Sequence, residues 1–148
     1  MNLEISIPLD EDGFIEMECD FCKNRFMLHQ DVYSDESNLH FFCPICGLPN
    51  QINTFYCSEV LEAIEQKVLN YAYEEIDKHL SRAFKGFNKN GLIKMSVKKQ
   101  HKALEKELYQ PINKYIKTHA DCCKIDIKLL EFDAEIGTYC PICGGTNL

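Results

Sequence analysis

Cys19 and Cys22 stand two residues apart. After 20 intervening residues, Cys43 and Cys46 stand two apart again. Zinc takes four ligands at the corners of a tetrahedron, and thiolates at about 2.3 Å suit it. A Cys-x2-Cys pair sits on one tight knuckle, so both sulfurs face one ion. Two knuckles joined by a hairpin complete the set. Gly47 follows the second pair, where the turn favours positive φ. The spacing predicts a structural zinc at Cys19, Cys22, Cys43 and Cys46. Four protein thiolates leave no open position for water or substrate, so this metal is not expected to be catalytic.

The pentapeptide Cys43-Pro44-Ile45-Cys46-Gly47 recurs letter for letter as Cys140-Pro141-Ile142-Cys143-Gly144. A second ribbon is therefore expected to close on Cys140 and Cys143. Its opening pair is less direct. His119-x2-Cys122 has knuckle spacing, with 17 residues before Cys140. That reading gives a Cys3His site of His119, Cys122, Cys140 and Cys143. Cys123 is the alternative ligand, either with His119 or beside Cys122. Adjacent residues on a strand point to opposite faces, which counts against a Cys122–Cys123 pair. The expected cofactor is thus two Zn2+ per chain. Cys57 lies outside both patterns and reads as a buried structural cysteine.

The elements that must carry these ligands are legible in outline. Composition is globular: 45% hydrophobic and 26% charged in 148 residues, which excludes a wholly disordered chain. Leu3, Ile5 and Ile7 alternate, Asp10–Gly13 reads as a turn, and Phe14–Met17 resumes an extended run, so residues 1–18 read as a hairpin. Ser58 reads as the N-cap of a long helix. Its apolar stripe is Leu61, Ile64, Val68, Ala72, Ile76, Leu80, Ala83 and Phe87. Residues 92–98 and 125–129 alternate as strands. The expected fold is α+β, with small antiparallel zinc-ribbon sheets at both ends of a long helix. The expected domains are residues 1–57 (hairpin and four-cysteine zinc ribbon), 58–118 (helix and basic segment) and 119–148 (Cys3His ribbon).

Charge is uneven. The net formal charge is −7. Residues 1–65 hold 13 acids and 2 bases, whereas residues 78–117 hold 11 bases and 2 acids. Lys78, Arg82, Lys85 and Lys89 share a helical face by spacing. Lys94, Lys98, Lys99 and Lys102 follow. This stripe suits phosphate contacts, and equally suits a helix dipole or an acidic protein surface.

Ile7-Pro8-Leu9-Asp10-Glu11-Asp12-Gly13, then Glu18-Cys19-x2-Cys22, the CPxCG knuckles, Phe55-Tyr56 before an acidic helix start, and Ile93–Val97 carry a resemblance across nearly the whole chain. It is to a family of uncharacterised bacterial tandem zinc-ribbon proteins. That family's second ribbon opens with CxxC, and the resemblance implies that this pair falls on His119 and Cys122. Each ribbon also resembles the transcription-factor-IIB-type zinc ribbon. That fold contacts nucleic acid, polymerase and protein alike, so it selects no function.

The functional expectation is a non-enzymatic recognition protein, a regulator or adaptor. Its partner is expected to be a protein, or nucleic acid bound through residues 78–106, and the helix over 58–87 could also pair two copies. The alternative is a redox- or metal-responsive switch at the C-terminal site. No Gly-rich phosphate loop, HExxH or nucleophile elbow occurs. No apolar run of membrane-spanning length occurs and the first residues do not resemble a signal peptide, so a cytoplasmic location without a membrane partner is expected. Cysteines in such a compartment read as ligands rather than disulfides.

Overall fold

The computed structural model describes residues 3–88 and 104–147. Two compact units divide the chain: Met1–Ile5 with Leu61–Glu107, and Ser6–Val60 with Leu108–Leu148.

The second unit holds the sheets. Strand β1 (Phe14–Glu18) turns through the first knuckle into β2 (Arg25–His29), and a short helix α1 (Gln30–Tyr33) follows. Strands β3 (His40–Phe42) and β4 (Pro49–Gln51) flank the second knuckle, and a 3-10 turn at Ile52–Phe55 leads out. Beyond the long helix α2 (Ser58–Asn88), the same order returns. It runs through β5 (Tyr115–Ala120), β6 (Ile125–Leu130), helix α3 (Glu131–Ile136), β7 (Thr138–Tyr139) and β8 (Thr146–Asn147). The mixed α+β class is as expected, with small antiparallel sheets before and after a long helix in the chain.

The two sheet-bearing segments are structural copies. Glu18 pairs with Arg25 in the first hairpin, and His119 pairs with Asp126 in the second. Both residues of the later pair lie 101 positions on. The copies join through β2 and β6, giving one four-stranded antiparallel sheet of order β1-β2-β6-β5. Met27 faces its own counterpart Lys128, and Phe26–Leu129 and Leu28–Ile127 are reciprocal pairs on either side. A second reciprocal contact links the closing knuckles. Phe42 N donates to Pro141 O, and Tyr139 N donates to Pro44 O, each at 2.8 Å. Equivalent residues exchanging equivalent contacts define a pseudo-two-fold axis, the isologous arrangement of a symmetric dimer, here within one chain.

The core lies on this join. Phe26, Leu28, Ile127 and Leu129 are buried with Ile15, Met17, Phe41 and Phe55. Phe26 and Phe55 meet edge to face at 5.8 Å. Alternation along β6 buries Ile127 and Leu129, as the strand period requires.

The opening segment departs from the expected hairpin. Asp10–Gly13 does turn, with Gly13 N donating to Asp10 O, but residues 3–10 form no strand. The partner of β1 is β2. Because Cys19–Asn24 turns the chain back at once, β1 is paired without the leading residues.

The helix α2 runs 31 residues from Ser58, the residue expected as its N-cap, and from Leu61 onward it belongs to the other unit. Its apolar stripe is largely uncovered: Leu61, Val68, Ile76 and Leu80 are exposed, as is neighbouring Leu69. The 92–98 strand expectation lies outside the described residues.

Candidate metal centres

The first centre is built from two turns. The β1–β2 turn supplies Cys19 and Cys22, and the β3–β4 turn supplies Cys43 and Cys46. All four sulfurs lie within 4.8 Å of one another. Cys19 Sγ to Cys46 Sγ and Cys22 Sγ to Cys43 Sγ are both 3.7 Å. A tetrahedron with metal–sulfur bonds of about 2.3 Å has edges of about 3.8 Å, so these spacings fit a tetrathiolate ion. They are far too long for a disulfide, whose sulfurs bond at about 2.05 Å.

Backbone geometry aims the sulfurs. Lys23 N donates to Cys19 O, and Gly47 N to Cys43 O, closing each knuckle at 2.9 Å. Ile45 N and Cys46 N approach Cys43 Sγ at 3.4 and 3.5 Å. Burial pushes the Cys19 thiol up, but the N–H groups of Cys22 and Phe21 together with the Cys43 and Cys22 thiols hold it below its ordinary value. Burial leaves Cys43 raised well above its ordinary value. A cation would reverse that penalty, because a coordinating thiol is deprotonated outright. Cys19 and Cys43 are fully buried.

The second centre departs from the expected Cys3His set. The four clustered residues are Cys122, Cys123, Cys140 and Cys143. Their ligand atoms also lie within 4.8 Å of one another, with Cys122 and Cys143 sulfurs 3.4 Å apart. His119 is not among them. It sits on β5 opposite Asp126, with Nδ1 2.7 Å from the Asp126 carboxylate. Strand pairing fixes its side chain there, before the turn begins.

The alternation argument against adjacent cysteines fails for a local reason. Residues 121–124 form a turn, and Lys124 adopts φ +53°, so strand alternation does not apply. Each knuckle follows its last cysteine with a left-handed residue: Lys23, Gly47, Lys124 and Gly144. Counting back from these, the leading knuckle residues are Cys19, Cys43, Ala120 and Cys140, all 0% exposed. Alanine thus occupies the leading position of the third knuckle. Cys122, at the position equivalent to exposed Phe21, supplies the missing sulfur and pairs with Cys143 as Cys19 pairs with Cys46. A signal for this was present in Cys19-Asp20-Phe21-Cys22-Lys23 against Ala120-Asp121-Cys122-Cys123-Lys124. That shared Asp-x-Cys-Lys frame aligns Cys22 with Cys123.

The centres differ in exposure. Cys122 and Cys143 are exposed, and among the ligands of the first centre none is. The N–H of Gly145 draws the Cys143 thiol down to about 7, while the neighbouring Cys143 sulfur raises Cys122 to about 11. Cys57 is buried against Glu16 O at 3.4 Å, and burial pushes it up to about 12, which suits an unreactive structural thiol.

Of the basic stripe, Lys78, Arg82 and Lys85 are exposed on α2, and Lys78 is bound to Glu75 at 2.6 Å. Lys89, Lys94, Lys98, Lys99 and Lys102 lie outside the described residues. No helix among the described residues is long and apolar enough to cross a membrane. Comparison with known proteins returns no matching family model, no matching curated protein and no matching solved structure.

Proposed function

We propose that the chain is a non-enzymatic zinc protein in which two bound ions hold a paired ribbon unit, and that it acts in macromolecular recognition as a regulator or adaptor. The observation that carries the zinc reading is two clusters of four cysteines, with sulfur pairs of the first at tetrahedral-edge spacing. Four soft thiolates select zinc or an iron–sulfur centre over hard cations. Each ribbon is too small to build a sufficient core alone, and a metal makes up the difference. Native mass spectrometry of the purified protein should report two zinc ions per chain. Iron, or fewer than two metals after zinc reconstitution, would overturn the reading.

The recognition reading is supported by α2. Its exposed Leu61, Val68, Leu69, Ile76 and Leu80 form an uncovered apolar surface, and Lys78, Arg82 and Lys85 add positive charge at its end. An acidic start and a basic end are complementary between two antiparallel copies, which supports a homodimer through this helix. A dimer by light scattering that Ile76→Lys with Leu80→Lys converts to monomer is the expected result. For nucleic acid, fluorescence anisotropy with DNA and RNA should show binding at about 50 mM salt that weakens steeply by about 200 mM. Absence of binding at low salt removes the nucleic-acid version and leaves the protein adaptor.

A second reading is a redox switch, favoured by the exposure of Cys122 and Cys143. There, peroxide would take two electrons from two thiolates, forming one disulfide and releasing zinc, while the peroxide oxygens leave as water. Retention of both metals under mild peroxide would dismiss it.

A further inference from the structure

The two centres are built on one plan, and a single departure separates them. In the first, both leading knuckle residues, Cys19 and Cys43, are fully buried, and the Cys43 sulfur receives N–H groups of its own turn from Ile45 and Cys46 at 3.4 and 3.5 Å. In the second, the buried place of Cys19 is taken by Ala120, which has no sulfur to receive such groups. The fourth thiolate comes instead from Cys122, two residues further along, at a place the fold leaves open to solvent. Its equivalent in the first copy is Phe21, 57% exposed. The residue across from Cys122 is the exposed Cys143, 3.4 Å away. One edge of the second tetrad therefore faces water, and the opposite cysteines, Cys123 and Cys140, are the better covered.

Hydrogen bonds that orient and stabilise metal ligands commonly change affinity by about 10–100-fold when lost. Exposure acts in the same direction, because an incoming donor can reach the ion before a protein thiolate has left. We propose that the second centre is an exchangeable zinc site, opened at its Cys122–Cys143 edge, while the first centre retains its ion as a fixed part of the fold. The inference rests on the zinc reading of both tetrads and adds a division of labour between them. The exchanging ligand is a small soft or chelating donor, such as a thiol or an aminocarboxylate. The step is ligand substitution without oxidation. Zinc–sulfur bonds at the exposed edge are replaced by bonds to the incoming donor, and the freed thiolates take up protons. No disulfide forms, which separates this behaviour from the peroxide switch.

The test uses the full chain loaded with two zinc ions and challenged with excess EDTA under anaerobic conditions. Native mass spectrometry follows the metal count, and iodoacetamide with peptide mapping reports which thiols open. A one-zinc species should accumulate, with release of the first ion at least about tenfold faster than the second. In it, Cys122, Cys123, Cys140 and Cys143 should alkylate while Cys19, Cys22, Cys43 and Cys46 stay protected. The double variant Ala120→Cys with Cys122→Ala restores the ordinary knuckle frame and should slow the fast release toward the slow rate. Simultaneous loss of both ions, or earlier opening of the first tetrad, would overturn the inference while leaving the zinc reading intact. A starting count below two zinc ions would instead remove the zinc reading, and the inference with it. Should the double variant fail to fold, the alkylation order in the unaltered protein still decides.

Discussion

Single residues decide which atoms meet the metal. His119 shares knuckle spacing with Cys122, yet its ring pairs with Asp126 across the β5–β6 ladder. His119→Ala should therefore leave the zinc count at two by native mass spectrometry, whereas Cys123→Ala should reduce it to one. Loss of a zinc in the histidine variant would restore the Cys3His assignment. Cys43→Ser is expected to be far harsher. It removes a fully buried thiolate from a centre that substitutes for core, so loss of the first ion should unfold the ribbon unit, seen as collapse of near-ultraviolet circular dichroism. The first centre was readable because its four cysteines keep one spacing. The second was only half readable. Cysteine spacing alone could not show that Ala120 stands in the leading place, although the Asp-x-Cys-Lys frame shared with the first knuckle marks it.

At the level of elements, the knuckles explain where glycine is needed. Lys23 and Lys124 share the left-handed region with Gly47 and Gly144, so conformation alone does not demand glycine. The difference is a close approach across the pseudo-axis. A Cβ on Gly144 would meet the Phe42 ring at 2.7 Å, and one on Gly47 would meet the Tyr139 ring at 3.1 Å. Gly144→Ala should cost about 1–3 kcal/mol in thermal or denaturant unfolding of the zinc-loaded protein, since the ring must shift and the backbone is strained. Gly47→Ala should cost less. An equal effect from Lys124→Ala, where the replaced residue already carries a Cβ, would count against the packing explanation. The helix and β6 were legible from their periods. The apolar stripe on α2 is largely exposed, because periodicity marks a face and not what covers it. The leading hairpin failed for a related reason, since β1 had a nearer partner in sequence.

For the whole chain, the informative fact is that the ribbons are not independent. Strand β2 meets β6, and neither copy has a finished sheet alone. Residues 1–57 expressed alone with zinc would present β2 as an open edge and uncover Phe26 and Leu28, which are buried in the full chain. Unpaired apolar edges invite association. The fragment should therefore self-associate or lose its dispersed amide spectrum even when one zinc is bound, and a well-folded monomeric fragment would contradict the importance of the join. The sequence advertised the repeat through its identical CPICG segments, but no local pattern shows that two hairpins will share a sheet. That pairing depends on contacts about a hundred residues apart.

The reciprocal pairing of β2 with β6 has a further consequence. Two separate half-chains with this join would assemble by mass action, and dilution would dissolve them. One covalent chain replaces their concentration with a fixed effective concentration, so the assembly survives dilution. It also frees the halves from identity. In a true homodimer any substitution appears on both sides of the axis at once, whereas here Met27 can face Lys128 and a cysteine can move from place 120 to 122 on one side only. Covalent union is thus what allows one scaffold to keep two unlike metal centres.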